Sequence, residues 1–319
     1  QIKAGAQAFQ LFDSWAGLLQ YSDFMTFAFP YIKQIMDECT VPNIIFAKGA
    51  WYALNEMSEL AEQVVQRSVS VPGVQPKLSM SVLSEHGKDS RLTVVDALGG
   101  NYIFKPPSKD YPEMPENEHL TMKMARLFNI DVVPHSLIRL VSGELSYITK
   151  RIDRTTDGSK IHMLDMFQIT EAFDKYKGSM ERVGKAINSY AENTLLDTLR
   201  FFELTVFSYL TANNDMHLKN FSMIHTSYGW AFSPAYDLLN VAILNPEDME
   251  EMALSIVGKR KKLDKKHFID LGLELGLNKK QIEGVFERFN DSRFMANKLI
   301  RNSFLSDDTN KFINLSTSA

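Results

Sequence analysis

Asp215 and Asn220 stand five residues apart in the polar run Asn213-Asn214-Asp215-Met216-His217-Leu218-Lys219-Asn220. A second carboxylate, Asp237, closes the later run Ser233-Pro234-Ala235-Tyr236-Asp237. These residue types suit phosphoryl transfer. One carboxylate can orient or deprotonate an attacking hydroxyl, while an amide oxygen and a second carboxylate hold Mg²⁺ against phosphates. Magnesium takes few protein oxygens and completes its octahedron with phosphates and waters, so two protein ligands suffice. Taken alone, Asp-x₄-Asn also describes an Asx-rich surface turn with unrelated acidic neighbours. Asp237, which follows a short strand-like run, brings the two readings nearly level.

The spacing is that of a protein-kinase catalytic loop, with Asp237 in the place of the later metal-binding aspartate. Residues 194–211 must position the loop: they are almost continuously apolar, as in a helix buried on most sides. Residues 230–232 read as a strand leading to Asp237. Upstream, strands are expected over 78–83, 91–98, 102–105, 134–140 and 145–150, with one helix over 116–129. This makes a small antiparallel α+β lobe. Beyond about residue 153 the pattern is mostly helical and ends in amphipathic helices over 266–275, 279–289 and 292–305. Lys105 closes an apolar strand, where a lysine is costly to bury without an anionic partner. It is either a phosphate-binding lysine, positioned by Glu118, or an exposed strand end. The loop from Ser70 to Lys77 has one glycine rather than three, and its Pro-Gly pair is also a common turn.

The length of 319 residues corresponds to about two domains. With 45% hydrophobic and 23% charged residues, the composition excludes a disordered chain, a collagen-like fibre and a coiled coil. A single cysteine, Cys39, excludes a disulfide framework and a cysteine-built metal site. The net charge of −4 provides no global basic field for nucleic acid. No apolar run is long enough to span a membrane and no signal pattern opens the chain, so a soluble, cytoplasmic protein is expected. The first 67 residues alternate strand (7–12), helix (23–39), strand (43–47) and helix (51–66), a β-α-β-α unit of a parallel sheet or barrel.

Three motifs together resemble the HipA family of serine/threonine kinases. They are the run from Ser68 to Leu78 (Ser-Val-Ser-Val-Pro-Gly-Val-Gln-Pro-Lys-Leu), the run from Asn214 to Asn220, and Ser233-Pro234-Ala235-Tyr236-Asp237. The resemblance covers about residues 61–319, including Lys105, Asn117-Glu118, the interlobe segment 147–154 and residues 253–268. It implies a bilobal α+β kinase fold, with a small antiparallel N-lobe over 61–153 and a mostly helical C-lobe over 154–319. It also implies ATP and Mg²⁺ as cofactors, and toxin activity in a type II toxin–antitoxin system. By motif, Asp215 would be the catalytic base, with Asn220 and Asp237 as Mg²⁺ ligands. His217, Leu218, Lys219 and Tyr236 would lie among the nucleotide and phosphate contacts. Pro72, Gly73, Val74, Gln75, Pro76 and Lys77 would cover the phosphates and Lys105 would bind them. Backbone groups of Lys150, Arg151 and Ile152 would meet the adenine. Ser70 matches a regulatory autophosphorylated serine, and Ser68 with Ser70 resembles the Ser-x-Ser of shorter members, whose N-terminal subdomain is a separate small protein. Phosphorylation would set nearly two negative charges beside a loop meant for ATP phosphates, so it should eject the loop. Leu164 departs from the glutamate that many members carry.

The opening residues resemble a different family. Ala4 to Gly17, Phe29-Pro30-Tyr31-Ile32 and Ile45-Phe46-Ala47-Lys48-Gly49-Ala50 are similar to uroporphyrinogen decarboxylase, a TIM barrel, through about residue 60. Ser14 would correspond to a substrate-binding serine at a barrel strand's end. Only two of the barrel's eight β-α units are represented, and the family's catalytic aspartate and C-terminal histidine element have no counterpart. No Gly/Ser/Pro linker separates the two resemblances, so the expectation is a chimeric N-terminus over 1–60, a fusion or mis-joined reading frame, without decarboxylase activity.

The kinase reading implies a protein substrate, by analogy an aminoacyl-tRNA synthetase, and a HipB-like helix-turn-helix antitoxin through which DNA is met only indirectly. The alternative is a non-catalytic kinase-like partner of that antitoxin. The basic run Lys259-Arg260-Lys261-Lys262 could serve it by meeting phosphates, or could simply be a solvated face. The complete Asp215, Asn220 and Asp237 set argues for catalysis.

Overall fold

A computed structural model describes residues 9–13, 43–47, 77–83, 91–94, 100–155 and 157–310. The chain divides into two compact units, Gln1–Pro106 with Ile138–Ile148, and Pro107–Leu137 with Thr149–Ala319.

In the first unit, β1 (Phe9–Asp13) and β2 (Asn43–Ala47) pair in parallel, Phe9 opposite Asn43 and Asp13 opposite Ala47. The helices expected over 23–39 and 51–66 lie outside the described residues. Strands β3 (Leu78–Leu83), β4 (Arg91–Val94) and β5 (Tyr102–Lys105) follow. With β6 (His135–Arg139) and β7 (Leu145–Lys150) they form a five-stranded sheet in the order β4-β3-β5-β7-β6. The pairs β3–β4 and β3–β5 are antiparallel. Neighbouring residues of a strand point to opposite faces. Accordingly Phe104 and Ile148 join Met80 in an apolar cluster flanked by Leu78, Tyr102, Ile138 and Leu140. Their neighbours Lys105 and Tyr147 share the opposite face, the Lys105 ammonium lying 5.4 Å from the Tyr147 ring centre.

The second unit contains α1 (Met114–Leu127), which Pro115 opens where its missing N–H costs nothing. It also holds a three-stranded antiparallel sheet, β10-β9-β8, built from β8 (Met163–Asp165), β9 (Ser222–Thr226) and β10 (Gly229–Phe232). The unit is otherwise mostly helical, as expected, and β10 falls on the strand read over 230–232; β8 and β9 were not foreseen. Strand β8 is too short to show a period-2 pattern. The helices are α2 (Met166–Ile169), α3 (Met180–Tyr190), α4 (Thr194–Leu210), α5 (Val241–Leu244), α6 (Lys265–Glu274), α7 (Lys279–Arg301) and α8 (Asp307–Asn310). Two helices were expected where α7 runs unbroken. At the expected break, the Ser292 hydroxyl bonds the Arg288 carbonyl one turn back, at 2.9 Å, and the helix runs on.

Helix α4 runs through the middle of this unit. Phe201, Phe202, Leu204, Val206 and Phe207 are buried along it. Its polar residues are satisfied locally: Thr205 and Ser208 donate to the carbonyls of Phe201 and Leu204 at 2.9 and 2.7 Å. Buried Asp197 accepts the Phe232 N–H at 3.0 Å and so fixes β10 to the start of α4. Phe128, just past α1, packs edge-on against Phe207 and Phe289. No helix among the described residues is long and apolar enough to cross a membrane.

Candidate active site

The loop holding Asp215 begins where α4 ends. Thr211 donates its hydroxyl to the Phe207 carbonyl at 2.9 Å, Ala212 turns left-handed at φ 51°, and the Asn213 N–H reaches back to the Ser208 carbonyl at 2.8 Å. Met216 and Leu218 are fully buried and anchor the loop. A 3₁₀ turn, Leu218–Asn220, then returns Asn220 toward Asp215. The Asn220 side-chain N–H donates to the Asp215 carbonyl at 2.8 Å, and that carbonyl also accepts the His217 N–H at 2.8 Å. With its nitrogen so used, Asn220 keeps Oδ1 as the atom able to meet a cation. Asn214 donates to Asp248 Oδ2 and the Glu250 carbonyl at 3.0 and 2.8 Å, which braces the loop from the other side.

The segment bearing Asp237 is held at both ends. Ala235 exchanges backbone hydrogen bonds with Asp131 and Val133 at 2.8 and 3.0 Å. Beyond Asp237, the buried amides of Asn240 and Asn117 clasp: Asn117 Nδ2 donates to the Asn240 carbonyl at 2.8 Å, and the Asn240 N–H donates to Asn117 Oδ1 at 3.0 Å. Asp237 itself is left-handed at φ 60°, a region aspartate enters more readily than most residues. Tyr236 ties this segment to the loop of Asp215 and Asn220, its hydroxyl donating to the Lys219 carbonyl at 3.0 Å and pairing with the Ser222 hydroxyl. Burial raises the Tyr236 pKa, so the phenol keeps its proton.

A third segment completes the surroundings of Asp215. The Tyr176 hydroxyl donates to Asp215 Oδ1 at 2.8 Å, and its ring packs edge-on against His217. Lys175 Nζ lies 3.0 Å from His217 Nε2, and the Lys175 carbonyl accepts the Leu218 N–H at 3.1 Å. Burial lowers the His217 pKa and the charge of Lys175 lowers it further, outweighing Asp215 and Asp237. His217 is therefore neutral at pH 7, and accepting from Lys175 through Nε2 puts its proton on Nδ1.

Asp215, His217, Leu218, Lys219, Asn220, Tyr236 and Asp237 thus come together in the second unit. Leu218 serves as an apolar anchor. Lys219 lies over the Phe167 ring, 4.8 Å from its centre, and favours ionisation of Asp165, whose pKa burial raises. Asp165 and Gln168 form a capping box on α2, and Leu164 sits in β8. Lys150, Arg151 and Ile152 belong to the same unit. The Lys150 N–H is used by the Pro134 carbonyl at 2.8 Å. Arg151 pairs with Asp153 at 2.6 Å. Burial would raise the Asp153 pKa, but Arg151 and Arg154 outweigh it and hold the carboxyl below its usual range. Glu118 is buried on α1. Lys105 is 3% exposed, which decides against a free strand end, and it stands with half-buried Lys77 in the first unit. Ser14, Ser68, Ser70, Pro72, Gly73, Val74, Gln75 and Pro76 lie outside the described residues.

Sequence reasoning missed Lys175 and Tyr176, since Asp174-Lys175-Tyr176-Lys177-Gly178 reads as an ordinary polar loop. It named Asn117 only beside Glu118 and gave it no part in holding the Asp237 segment. Among the described residues no three His, Cys, Asp or Glu side chains gather to hold a metal. The donor set fits Mg²⁺ shared with phosphates, through one amide oxygen and one carboxylate, rather than an all-protein cage.

Comparison with known proteins bears on both ends of the chain. The profile of the HipA-like C-terminal domain matches residues 69–295, and that of uroporphyrinogen decarboxylase (URO-D) matches residues 1–77. The chain is 33% identical over 230 residues to a Sinorhizobium fredii protein named "Putative kinase Y4dM", covering 67% of this chain and 55% of that one. A Haemophilus influenzae "Putative kinase" is 30% identical over 193 residues, 56% of this chain and 54% of the relative. The chain therefore spans about half the length of these relatives. The uroporphyrinogen decarboxylase of Schizosaccharomyces pombe is 43% identical over 75 residues, 20% of this chain and 21% of that enzyme. Among solved structures, HipA of Shewanella oneidensis MR-1, in complex with HipB and its operator DNA, superposes with a TM-score of 0.61. It shares 21% identity, over 76% of this chain and 61% of that one.

Proposed function

Because this chain belongs to the HipA-like C-terminal domain family, we propose that it is an ATP- and Mg²⁺-dependent serine/threonine kinase of the HipA toxin type. The observation that carries this reading is the joined loop of Asp215 and Asn220. The Asn220 nitrogen is bonded to the Asp215 carbonyl and its oxygen is left for a cation, while the Asp237 segment is stapled to the same loop through Tyr236. Asp215 is the base: Oδ1 is held by Tyr176, and Oδ2 accepts the proton of an attacking serine or threonine hydroxyl. Asn220 and Asp237 hold Mg²⁺, which when bound neutralises charge on the phosphoryl oxygens. Lys105 binds phosphate, and residues 72–77 cover it. The 150–152 segment offers backbone groups to adenine, with the Lys150 N–H already committed to Pro134.

By the same reading the acceptor is a protein, by analogy an aminoacyl-tRNA synthetase, together with the chain's own Ser70 and the neighbouring Ser68. The partner is a HipB-like antitoxin, since the Shewanella HipA was solved with HipB and operator DNA. A small separate N-subdomain-like protein is a second partner, and DNA is reached only through the antitoxin. The chain works in the cytoplasm. The kinase proper begins near residue 61 and the decarboxylase-like stretch adds no second activity; the two profile matches overlap over residues 69–77.

The test is transfer of label from γ-labelled ATP by wild type, Asp215→Asn and Asp237→Asn. Both variants should transfer about 10²- to 10⁴-fold more slowly than wild type. Equal transfer by all three overturns the proposal.

A further inference from the structure

We infer that Tyr176 is a positioning residue for phosphoryl transfer, holding the Asp215 carboxylate through Oδ1 so that Oδ2 faces the attacking hydroxyl. The inference rests on the reading of Asp215 as the base, and goes beyond it to a residue on a different segment. Tyr176 donates to Asp215 Oδ1 at 2.8 Å across 39 residues of sequence. A carboxylate on a loop rotates freely about its last bond unless one oxygen is tied, and a phenol O–H is a suitable tie because it donates without carrying charge.

The phenol is itself held from three directions. Its ring lies edge-on to His217 at 5.2 Å between centres. Lys175 places its ammonium 4.7 Å from the Tyr176 ring centre and bonds His217 at 3.0 Å. The Arg260 guanidinium in turn bonds the Tyr176 backbone carbonyl and reaches Glu250 at 3.4 Å. Arg260 therefore has a use of its own within the basic run: it braces the Tyr176 segment. Tyr176 remains 38% exposed, so its hydroxyl can be removed with little effect on the core.

The experiment compares full-length wild type, Tyr176→Phe, Asp215→Asn, the double variant and Arg260→Gln. Single-turnover transfer from γ-labelled ATP is summed over the chain itself and myelin basic protein as probe, and Mg²⁺-ATP affinity is measured alongside. Tyr176→Phe should slow transfer roughly 10- to 100-fold, as expected when a reacting group loses its alignment. ATP affinity should stay within about twofold, since the hydroxyl removed bonds Asp215 while the ring that packs against His217 is kept. In the Asp215→Asn background the same change should slow nothing further, because Tyr176 acts only through that carboxylate. Arg260→Gln should give a smaller loss of the same kind, with ATP affinity kept. An unchanged rate in Tyr176→Phe overturns the inference, as does an equal loss in both backgrounds. A faster rate would make the phenol a plug rather than a tie, and overturns it too. Transfer that survives Asp215→Asn undiminished, or is absent from wild type, removes the base assignment itself and the inference with it.

Discussion

Tyr236→Phe removes one hydroxyl from the staple between the Asp215–Asn220 loop and the Asp237 segment, and the structure sets the size of the effect. The phenol's single proton goes to the Lys219 carbonyl at 3.0 Å, so Ser222, 1% exposed, must donate its own proton to the phenol oxygen. The variant therefore loses two hydrogen bonds and leaves a buried serine hydroxyl without its acceptor. At about 1 kcal/mol net for each bond, the expected loss is about 2 kcal/mol. In a unit of this size 1 kcal/mol corresponds to about 2–4 °C, so the thermal midpoint of the second unit should fall by about 4–8 °C. Differential scanning calorimetry of the full chain reads this directly. Adding Ser222→Ala to Tyr236→Phe removes the orphaned hydroxyl and should restore about 1 kcal/mol. An unchanged midpoint in Tyr236→Phe would refute the staple, and a further drop in the double variant would refute the assignment of donor and acceptor.

Two further outcomes follow from packing and charge. His119 and His135 face each other at 5.2 Å, and burial, with the charges of Lys123 and, for His135, Arg126, pushes both down to about 4. Because the folded pKa lies below the unfolded 6.5, the unfolded chain binds more protons between the two values. Stability should be full above about pH 6.5 and fall as pH drops toward 4, by about 2 kcal/mol once partial exposure is discounted. Urea titrations of wild type and His119→Gln/His135→Gln should show this slope flattened in the variant, and parallel slopes would count against it. Gly184 on α3 has no room for a side chain, since a Cβ there would come 2.1 Å from the Leu275 side chain. Gly184→Ala should cost about 1–3 kcal/mol by overpacking, whereas helix propensity alone predicts a gain, so the sign of the midpoint shift decides.

The sequence was most readable where local signals suffice. Strands 78–83 and 145–150 show in composition, and the apolar run from Thr194 stops where polar residues begin, which frames Asp215 and Asn220. What escaped depends on contacts distant in sequence. Tyr176 meets Asp215 across 39 positions, and Asn117 meets Asn240 across 123. A polar loop and an ordinary helix residue announce neither. Arg260 looked like one charge of a solvated basic run, yet it is tied to the Tyr176 carbonyl and Glu250. The break expected near Ser292 failed for the opposite reason, because a residue that can cap a helix can also bond within it. Of the β-α-β-α reading, only the two strands fall within the described residues, where β1 and β2 pair in parallel.

The central claim is that Asp215 directs phosphate from ATP to a hydroxyl. Intact-mass spectrometry of full-length wild type and Asp215→Asn after incubation with ATP and Mg²⁺ tests it most directly. The wild-type chain should gain phosphate, mapped by peptide digestion to Ser70 or Ser68, and Asp215→Asn should gain far less in the same time. Equal gain by both chains, or none by wild type, would contradict the claim.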